Sequence, residues 1–213
     1  MTVRVLIADD QQLVRAGVRM LCETAADLEV VGEATGGADA VRLAARTGPD
    51  VILMDLRMPG TDGIQAAQQI LAARPATRIV ALTTFDDDEN LYRALQAGMC
   101  GFLVKDSHPT QLLDAIHRAA DGDPVFSPDV LRRVIGTALT NRPPTTSTPR
   151  GPELTPRERE VLALLADGLP NAEIGARLNM GVTTVKTHVT NLMAKTGADN
   201  RVRLAVHGLR TLG

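Results

Sequence analysis

The sequence predicts a protein of two parts: an α/β domain with a doubly wound, five-stranded parallel sheet, joined by a linker to a small all-α domain of four helices. In the first 122 of 213 residues, short apolar runs alternate five times with amphipathic stretches. Strands rich in Val, Ile and Leu that are joined through helices form parallel sheets covered on both faces. A proline-rich stretch follows, and only helical patterns lie beyond it.

The front part is predicted as five strand–helix units. Its strands are the apolar runs Val3–Ala8, Leu28–Ala34, Val51–Asp55, Arg78–Thr83 and Gly101–Lys105. The helices between and after them are the amphipathic segments Gln11–Thr24, Gly37–Thr47, Asp62–Arg74, Glu89–Ala97 and Thr110–Asp121. A further short helix is expected after Gly122, because Ser127-Pro128 offers an N-cap followed by proline at the first helical position.

A linker is predicted between the two parts. The stretch Asn141–Leu154 reads NRPPTTSTPRGPEL, a composition that forms neither a strand nor a continuous helix. Its length corresponds to a reach of roughly 20 Å if flexible and about 40 Å if extended as polyproline. The expected domains are therefore residues 1–122 and 155–213, with the linker and the short helix at 123–154.

The rear part is predicted as four short helices, Thr155–Ala166, Asn171–Leu178, Val182–Thr196 and Asn200–Leu209. Two of them flank the break LNMG, the layout of a helix-turn-helix. In the third helix, one face is apolar, formed by Val185, Val189, Leu192 and Met193. The opposite face carries Thr183, Thr187, Thr190 and Asn191, with Lys186 at its edge. A short-polar face with an amine suits the DNA major groove.

Composition and charge exclude several classes of protein. The chain is 44% hydrophobic and 23% charged, which argues against disorder and against a fibrous repeat. No apolar run approaches the roughly 18 residues of a membrane helix, and the N-terminus has no secretory cleavage site, so we expect a cytoplasmic protein. Cys22 and Cys100 are too few for a disulfide framework or a zinc site and are expected as core thiols.

The charge is distributed unevenly along the chain. Residues 1–149 carry a net charge of −5, whereas residues 150–213 carry +3. The basic rear part raises the chance of contact with an anionic polymer, although this charge alone is weak support.

Reactive side chains stand where the predicted strands end. Strand one ends in Asp9 and Asp10, strand three in Asp55, strand four in Thr83 and strand five in Lys105. Because ligands bind outside the carboxyl ends of parallel strands, these groups should converge. Three neighbouring carboxylates need a cation, and Mg²⁺ suits oxygen ligands. One screened carboxylate could then attack a phosphoryl group and form an acyl phosphate.

The motifs IADD, MDLRMPGTDG, ALTT and GFLVK resemble the receiver domain of two-component response regulators, over about residues 3–122. The resemblance implies a flavodoxin-like fold and makes Asp55 the phosphoacceptor. It further implies that Asp10, Asp55 and the main-chain carbonyl of Arg57 hold Mg²⁺, with Asp9 acting through water. It assigns the switch to three other residues: Thr83 would bind the phosphoryl oxygens, Lys105 would pair with the charged group, and Phe102 would turn inward on activation.

Other readings of these residues remain open. Asp9 and Asp10 could cap the following helix, Lys105 could be a solvated charge, and Thr83 could satisfy a backbone group. A phosphatase of the haloacid dehalogenase type also uses an aspartyl phosphate, but such enzymes need a second Asp two positions after the nucleophile. Arg57 stands there and cannot deliver a proton at neutral pH, so we expect no enzyme activity.

The rear part resembles the LuxR-type helix-turn-helix through LTPREREVL, the GL-x-N-x-EI run, TVKTHV, LMAK and the final NR. With the receiver in front, the chain is similar to NarL/FixJ-family response regulators. The resemblance makes Val182–Lys195 the recognition helix and Asn200–Leu209 the helix that pairs two chains on DNA. The DNA contacts that it implies are Thr184, Lys186, Thr187, Thr190 and Lys195.

Three residues depart from the family pattern. Pro170 stands where the family usually has Ser, so we expect Asn171 to cap the helix Asn171–Leu178 instead, which the resemblance makes the scaffold helix. Gly181 replaces a capping Ser before the recognition helix, a change that costs only tenths of a kcal/mol. Thr190 takes a place often held by a basic residue. A four-helix module that binds another protein remains the alternative for this part.

The sequence therefore predicts a transcription regulator. A sensor histidine kinase would phosphorylate Asp55 with Mg²⁺, and the product would shift the receiver between two conformations. Dimerisation would place two recognition helices one DNA turn apart on a roughly palindromic promoter site, with RNA polymerase as a further candidate partner.

Overall fold

The structure is a computed structural model that describes residues 2–83, 88–123, 125–126, 154–198 and 201–212. The predicted helix after Ser127 and most of the proline-rich linker lie outside these residues. The chain divides into two compact units, Met1–Val125 and Phe126–Gly213. The finer domain boundaries at residues 122 and 154 stay a prediction.

The first unit is the predicted α/β fold. Its five strands are β1 (Val3–Ala8), β2 (Leu28–Ala34), β3 (Val51–Asp55), β4 (Arg78–Thr83) and β5 (Gly101–Val104). They form one sheet in the order β2-β1-β3-β4-β5, and every pair of neighbours is parallel. The helices of this unit are α1 (Gln12–Glu23), α2 (Gly37–Thr47), α3 (Gly63–Ala73), α4 (Asp88–Gln96) and α5 (Pro109–Ala120).

Two apolar layers cover the two faces of the sheet. Alternate strand residues supply them: Ile52 and Met54 of β3 pack on the layer with α2, α3 and α4, whereas Val51 and Leu53 pack on the layer with α1 and α5. All five residues of β3 are buried. This alternation explains why the central strands read as continuous apolar runs and confirms the doubly wound fold.

Both cysteines are free thiols associated with the second of these layers. Cys22 belongs to the buried set, and Cys100 packs against it. Burial raises the pKa of each thiol to about 11, so both stay protonated and unreactive at neutral pH.

The second unit contains four described helices: α6 (Pro156–Ala166), α7 (Asn171–Leu178), α8 (Val182–Thr196) and α9 (Arg201–Leu212). Val185, Val189 and Leu192 of α8 are buried with residues of the other three helices, as the apolar face predicts. No helix among the described residues is long and apolar enough to cross a bilayer.

Three helices, α2, α7 and α8, have the predicted bounds, and ends of the other helices differ by one to three residues. Asp62 and Arg74 lie just outside α3 as its caps, and β5 ends at Val104, so Lys105 follows the strand. Helix α9 is described over Arg201–Leu212, three residues beyond the predicted end, and its predicted first residue, Asn200, lies outside the described residues. Boundaries depend on caps and on fraying, which local sequence specifies weakly.

The expectation that Asn171 caps α7 is wrong. Pro170 holds the N-cap position without a side-chain cap, and Asn171 is the first helical residue. The Asn171 Oδ1 atom instead accepts a hydrogen bond of 2.6 Å from Arg201 Nη1, while Arg201 Nη2 donates to the Leu169 carbonyl. The beginning of α7 is therefore held by α9. Gly181, at the N-cap of α8, also makes no side-chain cap.

Candidate functional site

The predicted acidic residues meet at the carboxyl edge of the sheet, between β1 and β3. At this point the strand order reverses, which opens a crevice at the strand ends. One oxygen from each of Asp9, Asp10 and Asp55 lies within 4.8 Å of the others. Asp9 and Asp55 are buried, whereas Asp10 is exposed. We call this group, with Thr83 and Lys105, the acidic pocket.

Lys105 joins two of the carboxylates. Its Nζ atom lies 2.8 Å from Asp55 Oδ2 and 2.8 Å from Asp9 Oδ2, and its side chain is only 9% exposed. The alternative of a solvated surface lysine is thereby excluded. Burial raises the pKa of Asp55, against the opposing effect of Lys105. Burial also lowers the pKa of Lys105, but the two carboxylates outweigh it and raise that pKa above its usual value.

Close backbone packing shapes the loop after Asp55. The Asp55 Oδ1 atom accepts a hydrogen bond of 3.1 Å from the Arg57 amide. At the start of α3, Gly63 lies so near that a Cβ atom there would stand 2.0 Å from the Asp55 carbonyl oxygen. Only glycine fits this contact, so the residue fixes the loop against the end of β3.

Thr83 and Phe102 lie on the neighbouring strands. Thr83 is buried at the end of β4, and its carbonyl accepts a hydrogen bond of 2.7 Å from the Lys105 amide. This bond ties Thr83 to the lysine of the pocket. Phe102 of β5 is half-buried and packs on the layer formed with α2, α3 and α4.

Sequence reasoning missed two residues that hold the pocket in place. Arg15 of α1 donates a hydrogen bond of 2.8 Å from Nη1 to the Asp9 carbonyl, and its Nε lies 3.5 Å from Glu33 Oε2. Arg19 pairs with the other oxygen of Glu33. The sequence signal was Glu33, one of two glutamates in β2, because a carboxylate on a partly buried strand indicates a partner of opposite charge.

The outward side of α8 carries the predicted DNA contacts. Thr183, Thr184, Thr187 and Thr190 are exposed, and Lys186 is half-buried at the edge of the apolar face. The structure brings them together on one side of one helix. Two hydroxyl groups donate within the helix, from Thr187 to the Thr183 carbonyl and from Thr190 to the Lys186 carbonyl, each at 3.0 Å.

Lys195, predicted as a DNA contact, has a partner inside its own domain. Its Nζ atom lies 2.8 Å from the buried carboxylate of Glu158 in α6. Glu158 also accepts from the Thr155 amide and completes the capping box of α6. Lys195 and the Thr155 amide lower the pKa of Glu158 to about 2. The ion pair therefore joins the recognition helix to α6.

Two family models match the chain. The response regulator receiver domain matches residues 5–117, and the luxR family of bacterial regulatory proteins matches residues 152–207. The chain is 40% identical over 211 residues to the transcriptional regulatory protein LiaR of Bacillus subtilis, covering 98% of this chain and 97% of that protein. It is 39% identical over 202 residues to the nitrate/nitrite response regulator NarL of Escherichia coli K12, covering 95% and 93%.

A solved structure of a response regulator also matches the chain. A structure of two RcsB dimers bound to two parallel DNAs matches with a TM-score of 0.56 and 27% identity, covering 100% of both chains. Both matching families are those of transcriptional regulators, which are not normally enzymes. Its acidic pocket lies within the matched receiver and its recognition helix within the matched luxR region. The chain belongs to the NarL/FixJ-type response regulators of two-component systems, which join a receiver domain to a LuxR-family DNA-binding domain.

Proposed function

We propose that Asp55 is the residue that accepts the phosphoryl group, from a phosphohistidine of a partner sensor kinase. One observation carries the assignment: of the two buried carboxylates that lie 2.8 Å from Lys105 Nζ, Asp55 keeps 5% of its side chain exposed and Asp9 none, so Asp55 is the one that a phosphoryl donor can reach. An Asp55 oxygen attacks phosphorus, the bond from phosphorus to the histidine nitrogen breaks, and that nitrogen leaves with the bonding electrons. The product is an acyl phosphate on Asp55.

The residues of the pocket fit Mg²⁺. The set is all oxygen, which is the chemistry that this ion prefers. Asp9 Oδ2 is buried and, although close to Lys105, makes no hydrogen bond of proper geometry, so it has acceptor capacity left. Asp10, Asp55 and the Arg57 carbonyl would hold the ion, and Asp9 would act through water. When bound, the ion would neutralise charge that accumulates on the phosphoryl oxygens.

Protein groups do the remaining work at the pocket. The Lys105 ammonium, now shared by Asp9 and Asp55, is positioned to pair with a phosphoryl oxygen, and the Thr83 hydroxyl binds a second one. Movement of Thr83 leaves space that Phe102 fills by turning inward from its half-buried position. Phosphorylation then changes the surface near α4, β5 and α5, through which the receiver would control dimerisation.

The output is binding of promoter DNA by a homodimer. The luxR match and the DNA-bound dimers of RcsB support this proposal. Lys186, Thr187 and Thr190 would lie in the major groove, and Thr184 would contact a phosphate. Lys195 has donors left beside its bond to Glu158 and would add a backbone contact.

Three broader proposals accompany this mechanism. We infer that two α9 helices pair in the dimer, that the regulator acts in the cytoplasm, and that RNA polymerase is a candidate partner at the promoter. Repeated phosphatase turnover is not part of the function, because Arg57, at the position of the second dehalogenase aspartate, is no general acid.

Acetyl phosphate tests the phosphoacceptor. With Mg²⁺, the full chain should gain one acyl-phosphate label, visible as a mass shift, and Asp55→Asn should gain none. The matched control is Asp114→Asn, which removes an exposed carboxylate on α5 and should leave labelling unchanged. A label that persists in Asp55→Asn would contradict the assignment.

DNA binding is tested separately on the same protein. The phosphorylated wild-type chain should retard promoter DNA, with an affinity that falls steeply as salt rises because phosphate contacts release counterions. If the chain binds no DNA even at low salt, an output through protein binding is favoured instead.

A further inference from the structure

The outward side of the recognition helix is a stripe without charge. Thr183, Thr187, Thr190 and Ala194 follow one another at intervals of four, three and four residues, so they share one face of α8. All four are exposed, while Val185 and Val189 on the other side are buried. We call these four residues the methyl stripe, since each one carries a methyl group.

The hydroxyl protons at the centre of this stripe are already used. Thr187 donates to the Thr183 carbonyl and Thr190 to the Lys186 carbonyl, both over 3.0 Å. A hydroxyl group has a single proton, and bonding to the carbonyl four residues earlier is a common use of it in helices. What these two side chains offer outward is therefore a methyl group and an oxygen acceptor.

The groove edges of the four bases respond differently to such a surface. Guanine presents only acceptors in the major groove, N7 and O6, and finds no donor on Thr187 or Thr190. Adenine and cytosine each present an amino group that an oxygen can accept, so the acceptor does not separate A·T from G·C pairs. Thymine alone presents a C5 methyl group, which packs on another methyl. The stripe thus favours A·T pairs through the thymine methyl group.

One cationic side chain borders the stripe. Lys186 follows Thr183 by three residues and precedes Thr190 by four, so it can reach a base or a phosphate beside the stripe. Lys195 is paired with Glu158 at 2.8 Å. The preference for A·T therefore concerns the base pairs that the Thr187 and Thr190 methyl groups contact, and a guanine contact of Lys186 would fall on a neighbouring base pair.

We propose that the methyl groups of Thr187 and Thr190 read thymine methyl groups in the promoter half-site, so that the base pairs under the stripe are A·T. This inference rests on the proposed DNA-binding function and names its chemical preference. Thr190 is then a specificity-determining residue through its methyl group, in a position where a cation would read guanine or phosphate.

The test begins with the full chain, phosphorylated with acetyl phosphate and Mg²⁺, which selects its sites from a random DNA pool. Each thymine of the selected half-site is then replaced by deoxyuridine, which removes only the C5 methyl group, and affinity is measured by fluorescence anisotropy. At one or two thymines per half-site, the wild type should bind about fourfold more weakly, the factor expected for one buried methyl.

Two substitutions separate the methyl group from the hydroxyl. Thr190→Ser keeps the hydroxyl and loses the methyl, so at one thymine it should no longer distinguish deoxyuridine. Thr190→Val keeps the methyl and should retain the distinction. The matched control is Thr47→Ser in α2, where a threonine also donates to the carbonyl four residues earlier, that of Leu43. It should bind both DNAs as the wild type does.

Each outcome decides something. The inference is overturned if the selected sites bind equally well with deoxyuridine at every position. It is also overturned if the Thr190→Ser variant still distinguishes the two bases everywhere. Both results would leave DNA binding intact. A chain that is fully phosphorylated yet enriches no sequence and shows no salt-dependent binding would instead refute the proposed DNA output, and the inference with it.

Discussion

The acidic pocket and the methyl stripe are built on opposite physical terms. In the pocket, Asp9 and Asp55 are buried and Lys105 links them, so each charge depends on groups from other strands. In the stripe, Thr187 and Thr190 are exposed and their hydroxyl groups bond only within their own helix. A reacting group needs fixed partners, whereas a surface that reads DNA must stay accessible. Changes in the pocket should therefore cost far more than changes around the recognition helix.

The largest effect should follow from Lys105→Ala. This change leaves two buried carboxylates without their cation, and breaking a buried pair costs roughly 3 to 5 kcal/mol. We expect a loss of that order in the free energy of unfolding at pH 7, together with loss of phosphorylation by acetyl phosphate. Urea denaturation measures the first quantity. The control Arg42→Ala breaks an exposed pair with Asp39 and should change stability by less than about 1 kcal/mol.

The pH dependence of the same variant sharpens the comparison. Burial raises the pKa of Asp55, and without Lys105 the hydrogen bond from the Arg57 amide alone opposes this rise. The folded state then binds protons that the unfolded state has already lost. Stability should consequently be greatest below the unfolded pKa of Asp55 and should decline as pH rises through the folded pKa. A variant whose stability increases from pH 4 to pH 7 would contradict this account.

A smaller effect is expected for Arg15→Ala. Arg15 holds the Asp9 carbonyl and is itself held by Glu33, so its loss should loosen the pair of carboxylates at the end of β1. We predict about tenfold weaker binding of Mn²⁺, used as a paramagnetic substitute for Mg²⁺, which corresponds to about 1.4 kcal/mol. Electron paramagnetic resonance of free Mn²⁺ measures it. Arg19→Ala, which removes only the outer partner of Glu33, should keep the wild-type affinity within about twofold.

The ion pair between Glu158 of α6 and Lys195 of α8 should respond to acid. Because the pKa of Glu158 is lowered to about 2, the contribution of this carboxylate to stability is present above its unfolded pKa and is lost as pH falls toward 2. The melting temperature of the second unit, followed by circular dichroism, should fall over this range. Glu158→Gln should be less stable at pH 7, by about 1 kcal/mol, and should show a weaker dependence on acid. Equal acid sensitivity in the two proteins would exclude the ion pair as its source.

The smallest effect should come from Gly181→Ser at the start of the recognition helix. A Cβ atom at Gly181 would meet nothing nearer than Thr184 Oγ1 at 3.9 Å, and serine would supply the missing cap. We expect a gain of a few tenths of a kcal/mol in thermal unfolding. The opposite case is Gly63→Ser beside the pocket, where the Cβ atom would collide with the Asp55 carbonyl and should strongly destabilise the fold.

The sequence predicted the parts of the molecule that depend on local pattern. The strand β3 was placed with both ends correct, since a fully buried strand has no polar interruption. The convergence of Asp9, Asp55 and Lys105 followed from parallel strands ending at one edge. Helix ends were less well predicted, because Asp62 serves as a cap and not as a helical residue.

Long-range pairs between side chains escaped prediction. Arg15 with Glu33, Lys195 with Glu158, and Arg201 with Asn171 each join elements that are far apart in the chain. Such pairs leave no periodicity in the sequence. Asn171 was expected to cap α7 because Pro170 replaces the usual serine. Its observed partner, Arg201, lies 30 residues away in the chain and could not be inferred from local sequence.

One ammonium group that serves two acids also constrains how the protein can change over generations. Exchanging Lys105 alone strands two buried acids, whereas exchanging Asp9 or Asp55 alone leaves one acid paired with one ammonium. A library selected for stability should therefore keep a cation at position 105 while both acids remain, and should accept neutral residues at position 9 or 55. Chains with a neutral residue at position 55 would fold well and receive no signal.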